Sequence, residues 1–161
     1  MEGRRRSLAS TFVPVDFAPP SALDDDDFRL IPLGPEHNEA DYEAWTSSIE
    51  HIRQTPGFAG RSWPRPMTRE ENRRDLARHS ADFTARTGFT YTVLDRVDGS
   101  VIGCVYIYPG LDDGHDAHVR SWVRASRGDL DPVLYRAMIR WLASEWPFER
   151  IDYAPRATPA K

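Results

Sequence analysis

The chain has 161 residues, 40% of them hydrophobic and 29% charged, with 21 basic against 25 acidic side chains and a formal net charge of −4. That length suits one domain, and the composition excludes collagen-like and low-complexity chains. No apolar run approaches the roughly 20 residues that cross a bilayer, and a mildly acidic chain without a basic stripe argues against nucleic-acid binding, which draws its affinity from neutralised phosphates.

Cys104 is the single cysteine, so an internal disulfide is excluded, and no CxxC or clustered Cys/His set offers a structural zinc site. Arg4 to Arg6 look like the basic start of an export signal, but Ser7 to Pro20 hold no sustained apolar core. The reading is therefore of a cytoplasmic protein without a targeting peptide.

Residues 1–27 carry three arginines, three prolines and four consecutive aspartates without any apolar period, which predicts an extended or disordered arm ahead of a single domain over 28–161. Val13, Val15 and Phe17 alternate and would let part of the arm lie against a sheet edge. Phe28 to Leu33 reads as a strand stopped by Gly34-Pro35. Tyr42, Trp45, Ile49 and Ile52 recur at helical spacing and predict a helix over 39–54. Three prolines and two glycines make Thr55 to Met67 an irregular loop.

Thr68 and Glu71 form a capping-box pattern, so a second helix is expected from there to about Thr87, with Gly88 as its left-handed stop. Phe89 to Asp95 and Val101 to Tyr108 are rich in β-branched and aromatic residues around Asp98-Gly99, the pattern of a hairpin. Ala117 to Arg124 alternates as a third strand. Asp131-Pro132 suits a helix N-cap and first position, Leu134, Met138, Trp141 and Leu142 give that helix its apolar stripe, and Arg150 to Tyr153 closes the order β-α-α-β-β-β-α-β. The last βαβ step implies a parallel crossover beside an antiparallel meander.

A strand leading through Arg127-Gly128 straight into a helix sets backbone N–H groups where a phosphate would bind. With the central hairpin Thr90 to Tyr108 and the run Trp122 to Leu142, the chain resembles the GCN5-related N-acetyltransferase (GNAT) superfamily over about residues 28–153. The resemblance implies an α/β fold with a GNAT-like mixed, twisted sheet. It also implies acyl-CoA-dependent N-acyl transfer to a small amine, with acetyl-CoA or another acyl-CoA as co-substrate. The cofactor would meet Trp122, Val123, Arg124, Arg127, Gly128, Asp129 and Leu130, and the backbone of Trp122 to Arg124 would face the acyl-pantetheine arm. The family loop reads Arg/Gln-x-x-Gly-x-Gly/Ala; here Arg127 and Gly128 alone look preserved, and the later positions are Leu130, Asp131 and Pro132. A carboxylate about 5 Å from a phosphate costs on the order of 3 kcal/mol at an effective dielectric near 20. The alternative is therefore a degenerate GNAT-like protein that binds a small molecule or a protein partner without acyl transfer.

Tyr106 and Tyr108, placed by alternation on one strand face with Ile102 and Cys104, either line an acceptor pocket or serve sheet packing. Trp63, in the Pro-rich loop, either covers a pocket or anchors the loop. For the catalytic step the candidates are Tyr106 and His118, the latter a base near neutral pH or a hydrogen-bonded strand histidine. His51 is expected to face water and His79 to pack. Asp112, Asp113, His115, Asp116 and His118 read as a solvated turn, and no metal ligands are assigned. The family's usual last helix and strand have no counterpart after Tyr153, which predicts an open sheet edge and a homodimer.

Overall fold

The computed structural model describes residues 11–156. Six strands form one sheet in sequence order: β1 (Leu23–Asp24), β2 (Phe28–Pro32), β3 (Phe89–Asp95), β4 (Val101–Pro109), β5 (Ala117–Val123) and β6 (Ile151–Tyr153). Neighbours are antiparallel except β5 and β6, which run parallel as the crossover requires. Helices α1 (Asn38–Thr46), α2 (Ile49–Arg53) and α3 (Arg69–Ala85) cover one face, and α4 (Asp131–Glu145) covers the other. The predicted α/β class and mixed sheet are found, with β1 as an added edge strand.

Period-two alternation divides the apolar side chains into two cores. Val105, Ile107, Val119 and Val123 join Leu134 and Met138 of α4. Cys104 and Trp122 join Trp45, Ile52, Phe58 and Leu76 beneath the other three helices. The described part of the arm, residues 11–27, is extended and fastened to the first core. Val13 is buried, Phe12 stacks on Phe148 at 5.1 Å, and the Tyr91 hydroxyl donates to the Pro20 carbonyl at 2.6 Å. The arginine run Arg4 to Arg6 and residues 157–161 lie outside the described residues.

Four sequence expectations are corrected. The single helix over 39–54 is two, broken at Ser47 and Ser48. There Thr46 and Ser47 hydroxyls donate back to the carbonyls of Tyr42 and Ala44, a local alternative to continuing the helix. Thr68 and Glu71 do form the reciprocal cap of α3, but its left-handed residue is Arg86 at φ 66°, not Gly88. Gly88 is required for another reason: a Cβ there would lie 2.0 Å from the Tyr108 ring. Ile102 does not share a face with Cys104 and Tyr106, because the pairing jumps from Val93↔Gly103 to Leu94↔Val101 and the extra residue turns Ile102 into the opposite core. Finally, α4 has no free start at Asp131 and Pro132. A 3-10 stretch over Ala125–Leu130, kinked at Arg127, leads directly into it.

Replacing Gly88 by alanine is expected to destabilise the fold by about 1–3 kcal/mol, since the Tyr108 ring must move from its packed position. Urea denaturation checks this; an unchanged midpoint contradicts it.

Candidate functional site

Between α1, α3 and the sheet lies a cavity of about 390 Å³. β4 sends Tyr106 and Tyr108 into its wall, β5 sends Arg120, and the loop between α2 and α3 brings Trp63 over it. Trp63 is both lining and anchor, its ring 5.3 Å from Trp45, 5.9 Å from Phe58 and 6.0 Å from Trp122. The three residues assigned to substrate in the sequence, Trp63, Tyr106 and Tyr108, thus come together in one cavity.

Its charges are arranged asymmetrically. On the helix wall Asp41 is 4% exposed and accepts from the Asn72 amide at 3.1 Å. Asn72 is fixed in turn by Asn38 at 2.8 Å and by the Trp45 indole N–H at 3.0 Å. Burial raises the Asp41 carboxyl from 3.8 to about 6, the Asn72 hydrogen bond opposes that rise, and the nearby charge of Asp75 adds to it. On the sheet wall the Arg120 guanidinium lies over the rings of Phe58 and Tyr106, at 5.2 and 5.4 Å. Its Nε is buried without a hydrogen-bond partner.

A chain of polar contacts crosses the end of the cavity. The Tyr108 hydroxyl donates to Asp82 at 2.8 Å, and Nδ1 of His79 lies 2.9 Å from the Tyr108 hydroxyl and 3.1 Å from that of Thr90. Desolvation, with the charge of Arg78 acting the same way, lowers His79 from 6.5 to about 4, so its ring is neutral at physiological pH. Burial also pushes the Tyr106 phenol well above its usual range, and its oxygen accepts from the Trp122 indole N–H at 2.9 Å.

The other predicted residues lie elsewhere. His118 has both ring nitrogens engaged, Nδ1 with Asp152 at 3.0 Å across the β5–β6 pair and Nε2 with Arg61 at 3.1 Å. The Asp112 to Asp116 segment is a turn in which Asp112 accepts from the Gly114 amide and Asp116 from those of Glu149 and Arg150. Among the described residues no group of three or more His, Cys, Asp or Glu is placed to hold a metal, and no helix is long and apolar enough to cross a membrane.

The predicted cofactor residues surround a fork in the sheet. β5 and β6 pair only from Ala117↔Ile151 to Val119↔Tyr153, where β6 ends, which leaves the β5 edge beyond it without a partner strand, a fork in the hydrogen-bond ladder. Because the Arg124 amide donates to Ile102 of β4, alternation turns the peptide groups of Ser121 and Val123 the other way, toward that unpaired edge. On the resemblance drawn from the sequence, this half would face the acyl-pantetheine arm. The diphosphate half is filled by the chain itself. Arg124 is paired with Glu43 at 2.7 Å, Arg127 with Asp95, and Gly128 abuts His51, so that His51 is a contact of the loop and not a free surface group. The Ala125 amide donates to Ser48 Oγ, and the Arg127 amide to the Arg124 carbonyl. Trp122, Val123 and Leu130 are buried by side chain, and Asp129 is exposed. Inside the fork Arg156, its side chain 3% exposed, donates to Asp131 at 2.7 Å and to the Ser121 carbonyl at 2.7 Å.

Sequence reasoning missed Asp41 and Asn72, and it set Arg120 beside Arg124 and Arg127 as an offset to the loop carboxylates, whereas the structure turns it into the cavity. The one available signal was Asp41 standing a helical turn before Trp45 on the apolar side of α1, a polar residue in a buried stripe.

No family model matches the chain and no curated protein matches it in sequence. Solved structures do match in shape. The chain is similar to a ribosomal-protein-S5-alanine acetyltransferase from Vibrio fischeri, with a TM-score of 0.62 at 13% identity over 82% of this chain and 72% of that one. It is also similar to the microcin C7 self-immunity acetyltransferase MccE in complex with acetyl-CoA and AMP (TM-score 0.61, 12% identity, 78% and 66% covered). A third is RimL, the ribosomal L7/L12 α-N-protein acetyltransferase, in complex with coenzyme A (TM-score 0.58, 13% identity, 77% and 66% covered). The sheet with its β5–β6 fork and the shape match to these proteins agree: the chain has the GNAT superfamily fold.

Proposed function

We propose that this chain is an acyl-CoA-dependent N-acyltransferase for a small-molecule amine, with the amine held in the cavity and the acyl arm entering the β5–β6 fork once Arg156 leaves it. The observation that carries the reading is the adjacency of the cavity and the unpaired edge of β5. β5 turns Arg120 into the cavity and, one residue on, the Ser121 peptide group into the fork. That GNAT-fold proteins of similar shape hold acetyl-CoA or coenzyme A supports it. Acyl-CoA would supply the activated thioester. The chain's own part is to bind and orient, with Asp41 attracting the amine. A cavity of about 390 Å³ with a buried carboxylate in its wall suits a small acceptor.

A second reading is favoured by the closed loop over Ala125–Leu130 and by the Arg156–Asp131 pair. On it, the chain binds its ligand without transferring an acyl group.

Calorimetric titration with acetyl-CoA separates the two. Removing Arg156 alone would strand a buried carboxylate, at a cost of about 3–5 kcal/mol, so the variant is the pair Arg156→Ala with Asp131→Asn. It is expected to bind acetyl-CoA at least tenfold more tightly than the parent, about 1.4 kcal/mol or more. No heat from either protein at millimolar ligand overturns the transferase reading and leaves the second.

Asp41 carries a stability cost that marks it as a site residue. Its folded-state affinity for a proton exceeds that of the unfolded chain, so the associated stability is complete below about pH 4 and is lost as pH rises through about 6. That loss is on the order of 3 kcal/mol. Asp41→Asn keeps an acceptor for Asn72 and removes the charge. It is expected to stabilise the protein by roughly 2–3 kcal/mol at pH 8 and to have little effect near pH 4, measured by urea denaturation. An equal effect at both pH values contradicts the assignment.

A further inference from the structure

The cavity is lined by two charges of opposite sign, the buried Asp41 and the half-buried Arg120, that no ion pair with a described residue neutralises. Asp41 has a neutral amide as its hydrogen-bond partner and forms no ion pair with a described residue; Arg120 has neither a hydrogen bond nor an ion pair there. The other charged groups around the space are differently placed. Asp75 and Arg78 satisfy one another at 3.2 Å on an exposed stretch of α3, and Arg65 donates to the Pro66 carbonyl at 3.3 Å. Asp41 and Arg120 belong to different walls of the cavity: Asp41 is held on the helix wall by Asn72, and Arg120 on the sheet wall lies 5.4 Å from the Tyr106 ring centroid.

Such an arrangement is expensive for an empty pocket. A buried charge without a counter-charge costs several kcal/mol, and stable folds place such groups where a ligand completes them. The terminal nitrogens of Arg120 make no hydrogen bond with a described residue, and the guanidinium edge that carries both of them can receive the two oxygens of a carboxylate. The stacking of Arg120 on Phe58 and Tyr106 fixes the plane of that edge, so little entropy is lost when an anion docks. On the helix wall, a carboxylate held by Asn72 and reinforced by the nearby charge of Asp75 is a receptor for a cation.

We propose that the cavity takes a straight-chain amino acid of the ω type, its ammonium on Asp41, its carboxylate on Arg120 and its methylene chain along Tyr106 and Trp63. This deepens the acceptor-site reading above and rests on the cavity being a ligand site, but not on acyl transfer.

The test is calorimetric titration of the whole chain, without acyl-CoA, with ω-amino acids of roughly four to eight carbons, and with the n-alkylamine and n-alkanoate of matching length. At least one ω-amino acid is expected to bind about tenfold or more tightly than either single-charge analogue. Asp41→Asn should remove the advantage over the alkanoate, and Arg120→Lys, which keeps the charge but loses the two-nitrogen edge, should reduce the advantage over the alkylamine. A series in which all three classes bind alike overturns the proposal, as does the absence of binding at about 10 mM, which is about 3 kcal/mol of binding free energy. So does an affinity that neither variant changes. Because no acyl donor is present, failure here leaves the acetyl-CoA titration standing, and failure there leaves this one standing.

Discussion

The alternation of β5 is the constraint on which the rest of the molecule depends. Seven residues carry three duties because successive side chains point to opposite faces and successive peptide groups to opposite edges. Val119 and Val123 seal the core beneath α4; Arg120 and Trp122 enter the layer beneath α1, α2 and α3. The peptide of Arg124 binds β4 while that of Ser121 turns toward β6. A shift of one residue would bury Arg120 against Leu134 and Met138 and place Val119 in the cavity, so the core and the site are specified by the same register. His118 and Asp152 pin that register where β5 and β6 still pair.

Around this strand the chain keeps two kinds of buried charge, and the contrast separates scaffold from site. Arg156 and Asp131 are matched, with further donors and acceptors at Ser121 and Ala154, so the fork is rigid as it stands. A pair of this type contributes little net stability but is costly to break one-sidedly. Asp41 and Arg120 are unmatched, and the fold carries their desolvation without return. The first arrangement resists entry and the second invites it. On the proposed reading, acyl transfer would require a movement at Arg156, whereas the binding of a doubly charged small molecule would not.

Much of the architecture was legible because it rests on local rules. The Thr68 and Glu71 box, the hairpin around Gly99 and the crossover into β6 each follow from a few neighbouring residues. The site was legible in part. Trp63, Tyr106 and Tyr108 could be named as pocket residues, since aromatic side chains on one strand face and in a Pro-rich loop have few places to go. What stayed hidden was set by tertiary register. The bulge that diverts Ile102 depends on how β4 meets β3. The burial of Asp41 depends on Asn72, 31 residues away. The plug in the fork depends on Arg156 folding back to Asp131, 25 residues earlier. The loop sequence did warn of a poor diphosphate site through Leu130, Asp131 and Pro132, and the 3-10 stretch over Ala125–Leu130, kinked at Arg127, is the physical form that warning takes.

Turnover is the most direct measure of the whole account. Release of free thiol from acetyl-CoA would be followed with an ω-amino acid as acceptor, comparing the parent chain with the Arg156 and Asp131 double variant. Thiol release that requires the acceptor, and that is faster in the variant, is the predicted result. Acceptor binding with no acceptor-dependent release from either protein would contradict transfer and leave a GNAT-fold receptor for a small zwitterion.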